Sequence, residues 1–168
     1  MFQSILVPLD GSRLSEASLN AAAMLASKLG SAITLLHVVE QDAPSKVHRE
    51  RHLTNTEEAE DYLRRAASGA FPASTRVQTH VHAAPVADVP RSIVLHATTE
   101  FTPDLIVTCA HGRGGMRDLL FGSIAQQVVA LGRIPLLLVK DGSQPFQMYR
   151  ILVPLDPDSR HDNTLPFA

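Results

Sequence analysis

The chain has one cysteine, Cys109, and no tryptophan among its 168 residues. A single thiol excludes an internal disulfide framework and a cysteine-based zinc site, and it fits a reducing compartment. Aromatic residues make up 5% of the sequence, which speaks against the stacking platforms that bind single-stranded nucleic acid. There is no excess of positive charge. Fifteen Lys and Arg stand against 17 Asp and Glu, for a net charge of -2, so a basic surface for nucleic-acid phosphates is lacking and no nucleic-acid partner is expected. Nor is there a long hydrophobic run. No stretch reaches the roughly 18 apolar residues that cross a bilayer, and Met1 to Asp10 lacks the basic start and apolar length of a signal peptide. No membrane partner is expected, and the cytoplasm is the expected location.

What is there is a rhythm. Phe2 to Leu9 (FQSILVPL) is a short β-rich run ending in Asp10-Gly11-Ser12, which predicts a buried strand entering a turn. Leu14, Ala17, Ala21, Met24 and Leu25 recur at helical spacing, with Ser12 as N-cap and Gly30 as the stop. Ala32 to Val39 reads as a second strand, and the polar stretch from Glu40 to Thr56 as a loop. Then come a helix over Glu57 to Ala67, an alternating strand over Thr75 to His82, and a helix over Ala87 to Thr99 with Pro90 in its first turn. A strand over Asp104 to Cys109 leads into a glycine-rich loop from His111 to Gly115, a helix over Ser123 to Leu131 and a last strand over Ile134 to Lys140. Continuous apolar strands alternating with helices imply a parallel sheet covered on both faces. If the first and fourth strands are central neighbours, Asp10 to Ser12 and Cys109 to Gly115 line one crevice at their carboxyl ends.

The tail repeats the head. Ile5-Leu6-Val7-Pro8-Leu9-Asp10 recurs as Ile151-Leu152-Val153-Pro154-Leu155-Asp156, and the same offset pairs Leu19 with Leu165 and Ala22 with Ala168. The expected organisation is one domain over 1–141, a linker over 142–148, and the beginning of a second, truncated repeat over 149–168 that supplies an extra C-terminal strand. Such a strand must pair, in one chain or by exchange between two.

The segment from Cys109 to Ser123 carries the chemistry. Gly112, Gly114 and Gly115 let backbone approach a ligand closely. Gly122-Ser123 opens a helix whose unpaired N–H groups would face a phosphate, and Arg113 could add charge. The spacing is that of neither a Walker A loop nor a Gly-x-Gly-x-x-Gly turn on the first strand. Here the sequence resembles the universal stress protein family, which carries Gly-x-x-Gly, nine residues, then Gly-Ser/Thr. Gly112, nine residues, then Gly122-Ser123 match, while Cys109 stands where the family has its first Gly. The family's opening strand ending in Asp-Gly-Ser is matched by Val7 to Ser12, its His-Val by His37-Val38, its Asp-Leu-Ile-Val by Asp104 to Val107 and its Pro-x-Leu-x-Val by Pro135 to Val139.

The resemblance implies an α/β fold, an open doubly wound five-stranded parallel sheet in the order 3-2-1-4-5. It implies an adenine nucleotide as ligand, ATP or else ADP or AMP, with Mg accompanying the phosphates. The implied binding residues are Pro8, Leu9, Asp10, Val38, Cys109, Ala110, Gly112, Arg113, Gly115, Gly122, Ser123 and Ile124. Asp10 would meet the ribose or adenine side and Val38 would offer backbone to adenine. Gly112, Arg113, Gly122, Ser123 and Ile124 would surround ribose and phosphates. A Cys109 side chain would narrow the ribose pocket. A homodimer through the last strand of the domain is implied as well.

Plainer readings stand beside these. Asp10 and Ser123 could simply cap helices, and Cys109 could be a small residue closing a strand. His48 and His52 share helical spacing but lack a third ligand, so no metal site is expected. His80 and His82 share one strand face and read as solvated. No acyl-transfer constellation stands out, and no catalytic residue is assigned. The leading expectation is a nucleotide-binding stress-response regulatory module. The alternatives are a nucleotide-free dimeric interaction module and a slow ATP hydrolase.

Overall fold

Strand β1 (Ser4–Pro8) organises the domain because its middle residues are apolar on both faces, so neither face can be left to water. Ile5, Leu6 and Val7 are fully buried. The computed structural model describes residues 2–47, 50–110, 123–140, 146–150 and 152. After β1 the chain forms α1 (Arg13–Leu29), β2 (Ala32–Glu40), the two-residue strands β3 (Lys46–Val47) and β4 (Glu50–Arg51), then α2 (Thr56–Ala70) and β5 (Val77–Val86). It continues through α3 (Val89–His96), a π-helical turn (Ala97–Phe101), β6 (Leu105–Ala110), α4 (Ser123–Leu131) and β7 (Leu136–Lys140).

Among the described residues the main sheet has five strands in the order β5-β2-β1-β6-β7, and every pairing in it is parallel. This is the expected 3-2-1-4-5 order. Side-chain alternation divides the core between the two faces. Ile5, Val7, Ile33, Leu35 and Val107 pack with Leu19, Leu25 and Leu63 of α1 and α2. Leu6, Leu36, Val38 and Ile106 pack with Ile93, Ala97 and Val128 on the α3 and α4 side.

Helix α1 begins and ends as its sequence dictates. The Ser12 hydroxyl accepts from the Ser15 N–H, and Gly30 closes the helix at φ 71°. Three elements depart from expectation. The stretch from Glu40 to Thr56 is not a bare loop, because β3 and β4 pair antiparallel within it. Strand β5 runs on to Val86 through Pro85, which the edge of a sheet tolerates because a missing N–H there breaks no ladder. The third helix stops being α-helical at His96, where the Thr98 and Thr99 hydroxyls donate to the carbonyls of Val94 and Leu95, both at 2.8 Å. Such back-bonding competes with the helix ladder and bends it. The expected linker over 142–148 and the expected repeat over 149–168, with its extra strand, lie largely outside the described residues.

Gly30 has open space around the position a Cβ would take, so a substitution there meets only the left-handed backbone. Gly30→Ala is expected to cost about 1 kcal/mol, read as a lower urea midpoint with an unchanged slope.

Candidate functional site

The crevice forms because β1 and β6 part company. Their ladder comprises Ile5↔Leu105 and Leu6↔Ile106, although β1 runs on to Pro8 and β6 to Ala110. On its other side β1 stays paired with β2 as far as Pro8↔Leu36. Strand order reverses between β1 and β6, and the carboxyl-end gap at such a switch point is where open α/β sheets bind ligands.

The turn after β1 is tightly built. The Asp10 carboxylate accepts from the Ser12 N–H at 2.9 Å and the Ser12 hydroxyl at 2.6 Å. Ser12 in turn caps α1, and the Ser15 hydroxyl donates to the Ser12 carbonyl at 2.8 Å. Asp10 therefore positions the cap rather than capping α1 itself. Gly11 sits at φ 87° with the Leu53 side chain 2.6 Å from where a Cβ would be. Both facts demand glycine, the first because L-residues rarely adopt that φ.

The segment between β2 and α2 lies over this turn. Glu50 accepts from the Arg13 N–H at 2.8 Å, placing a carboxylate at the positive end of α1. His52 is buried and its N–H donates to the Ser45 carbonyl. It follows β4, and His48, with which it shares helical spacing in the sequence, lies outside the described residues. His37 ties the layers together from inside β2. It is 1% exposed, with Nδ1 at 2.8 Å from the Leu9 carbonyl and Nε2 at 3.3 Å from the Leu53 carbonyl. Burial pushes its pKa below the usual histidine value against the opposing pull of the two carbonyls, with His52 lowering it further and Asp10 raising it.

Of the expected binding residues, Pro8 ends β1, Leu9 and Asp10 follow it, and Val38 lies at the same level on β2. The Leu9 N–H donates to the Leu36 carbonyl at 2.8 Å. Alternation along the strand directs the Val38 carbonyl to the same side, beyond the point where β1 ends. Cys109 and Ala110 end β6 across the gap, paired with Val139 and Lys140. Cys109 is 2% exposed, so its sulfur is enclosed by protein. Ser123 begins α4 and the Ile124 side chain is exposed. Gly112, Arg113, Gly115 and Gly122 lie outside the described residues.

A second polar cluster was not anticipated. His80 and His82 are half-buried rather than solvated. They meet His96 at the end of α3 and Glu100 in the π turn. The signal was divided between two elements, His-x-His on a strand and His-x-x-x-Glu on a helix, and only packing joins them.

A doubly wound domain with a turn-bearing crevice at its switch point is an architecture for binding small ligands. The family model "Universal stress protein family" matches residues 1–140. The chain belongs to the universal stress protein family. Among solved structures, hypothetical protein MJ0577 is similar at 24% identity and TM-score 0.65, over 86% of this chain and 99% of that one. A universal stress protein from Archaeoglobus fulgidus in complex with dAMP is similar at 23% identity and TM-score 0.58, over 83% and 98%. A universal stress protein in complex with cAMP follows at 19% identity and TM-score 0.57, over 83% and 97%. No curated protein matches. Among the described residues no helix is long and apolar enough to cross a membrane.

The depressed His37 pKa has a pH consequence. The unfolded chain takes up a proton near the ordinary histidine pKa of about 6.5, while the folded chain resists until lower pH. Between those values the unfolded state binds more protons, so stability rises with pH there and is lost as pH falls through the window. Tm measured from pH 8 to 5 is expected to fall less steeply in His37→Asn, which removes this ionisation. Parallel curves would show that His37 is not responsible.

Proposed function

We propose that this chain binds an adenine nucleotide in the crevice between the carboxyl ends of β1 and β6 and acts as a regulatory module in the stress response. The observation that carries this reading is the parting of β1 from β6 beyond Leu6 and Ile106, directly above a turn that holds the Asp10 carboxylate rigid. The dAMP and cAMP complexes of relatives with the same fold support the choice of base. The Asp10 carboxylate is suited to accept a ribose hydroxyl, and the backbone of Val38 offers adenine an edge to read. Arg113, Gly112, Gly115, Gly122 and Ser123 would take the phosphates, with Ile124 beside them. ATP is the favoured ligand, ADP and AMP its shorter relatives, and Mg would neutralise the phosphate charge. Pro8, Leu9, Cys109 and Ala110 contribute the walls of the crevice. Since the Cys109 sulfur is enclosed, its effect on the pocket falls on backbone position rather than on direct occlusion.

Titration with ATP, ADP, AMP and, as control, GTP tests this by thermal shift and calorimetry. Adenine nucleotides are expected to raise Tm by mass action. Asp10→Ala is expected to weaken binding roughly tenfold, the loss of one charge-assisted hydrogen bond. A Tm indifferent to every adenine nucleotide at millimolar concentration would sink the proposal.

A second feature favours self-association. Among the described residues strand β7 is an edge of the sheet, and the exposed Val129 and Leu131 belong to the helix just before it. An unpaired parallel edge is an invitation to pair with another chain. Light scattering coupled to size exclusion is expected to give a dimer, and a monomer at every concentration would exclude one.

A further inference from the structure

The cluster at the opposite edge of the sheet has the donors and the spacing of a metal site. His80 and His82 project from one face of the edge strand β5, opposite Leu36 and Val38 of β2. His96 ends α3, and Glu100 lies one turn on in the π-helical segment. The two oxygens of Glu100 already reach two imidazoles, with Oε2 at 2.7 Å from His96 Nδ1 and Oε1 at 3.7 Å from His80 Nδ1. One donor atom each from His80, His96 and Glu100 lie within 4.8 Å of one another. Phe101 supports both rings, edge-on to His80 at 5.2 Å between centroids and stacked on His96 at 5.9 Å.

We propose that His80, His96 and Glu100 bind a first-row divalent transition cation of the Zn²⁺ type, with His82 as the hydrogen-bond partner that orients His96. Two imidazoles and one carboxylate suit such cations, whereas Mg²⁺ and Ca²⁺ favour all-oxygen sets. Tetrahedral coordination with bonds of about 2.0–2.1 Å puts donors about 3.3 Å apart. The His80 donor must close on the other two and the 2.7 Å contact between His96 and Glu100 must open slightly, an adjustment the 45% exposed Glu100 side chain can supply. Three protein donors leave a fourth position for water.

A cation would switch the tautomer of His96, whose Nδ1, 2.7 Å from a Glu100 oxygen, otherwise carries the proton it donates to that carboxylate. If His96 Nδ1 holds the cation, Nε2 must carry the proton and donate it. Its neighbour is His82 Nδ1 at 3.0 Å, which must then be unprotonated. An outer partner that fixes the tautomer is the usual companion of a metal-bound histidine. The backbone supports the cluster at some cost. A π turn is rare and often functional, and Thr102, which ends it, sits at φ 42°, strained for a β-branched residue. A bound cation would pin this turn to the edge strand, with β2 and β1 between it and the gap that opens toward β6.

The test uses the full chain without a histidine tag, stripped with a chelator and titrated with Zn²⁺ by calorimetry and with Co²⁺ by visible absorption. One equivalent per chain is expected, with Co²⁺ ligand-field bands of a four-coordinate site. His80→Ala and Glu100→Gln are each expected to weaken Zn²⁺ on the order of 100-fold, and His82→Asn on the order of tenfold, with far-UV circular dichroism unchanged. In the unmutated protein, Zn²⁺ should shift the imidazole NMR signals of His80, His82 and His96 and leave His37 in place. No saturable binding at millimolar Zn²⁺, undiminished affinity in His80→Ala and Glu100→Gln, or shifts confined to other histidines would each overturn the site.

Discussion

The whole arrangement depends on β1 being paired in parallel on both sides and covered on both faces. A parallel strand so enclosed has no solvent-facing edge or surface, so every backbone group must find a neighbour strand and every side chain a helix. β2 supplies one neighbour for the full length of β1. β6 supplies the other for two residue pairs only. The asymmetry follows from topology, since the chain leaves β1 toward α1 on one face and leaves β6 toward α4 on the other. Two connections that diverge to opposite faces cannot keep the same two strands closed at their ends.

What fills the opening from below is a set of short hydrogen bonds rather than apolar packing. Asp10, Ser12, Ser15 and Ser18 form a chain of hydroxyl and amide contacts in which Ser12 and Ser18 are fully buried. Buried polar groups are tolerated only when satisfied, and a satisfied network fixes geometry more sharply than apolar contact does. His37 extends that network to the segment over the turn. Its two ring nitrogens face two carbonyls, from Leu9 and Leu53. A neutral ring can donate to only one of them. The segment is thus held partly by Leu53 against Gly11, by Glu50 at the start of α1 and by a histidine whose second contact is weak when the ring is neutral. A crevice wall of that kind is rigid at its base and adjustable at its rim.

Much of this was legible in the chain. Apolar runs located β1, β2, β6 and β7, and Ser12 and Gly30 marked the ends of α1, because burial and capping are local demands that leave local signatures. The resemblance supplied strand order. The hairpin of β3 and β4 left no trace, since four residues of Lys, Val, Glu and Arg carry no periodicity. The π turn was hidden for another reason. Thr98 and Thr99 are ordinary in a helix by composition, and it is their hydroxyls' choice of the Val94 and Leu95 carbonyls that alters the ladder. The position of Asp10 beside the gap was legible, because it directly follows the first apolar run, whereas Val38 was supplied by the resemblance alone. The histidine cluster was not, because its members come from a strand and a helix whose relative placement no spacing encodes.

That cluster also has a reason rooted in coverage. The α1 and α2 side of the sheet is covered by helices of 17 and 15 residues. On the other side α3 and α4 have 8 and 9 residues. Short helices cannot shield five strands, so the outer strand on that side cannot carry a continuous apolar face. Gln78, His80 and His82 stand where β5 would otherwise expose valine or leucine, and each finds a polar partner. Gln78 donates to the Thr34 hydroxyl at 2.7 Å, and the histidines take His96 and Glu100. Polar edges also discourage unwanted strand addition. The shortage of helix on one face thus concentrates ligating side chains at one edge. The same shortage leaves Leu95, Val129 and Leu131 exposed, so the proposed metal donors and these exposed apolar side chains both come from the side covered by the shorter helices.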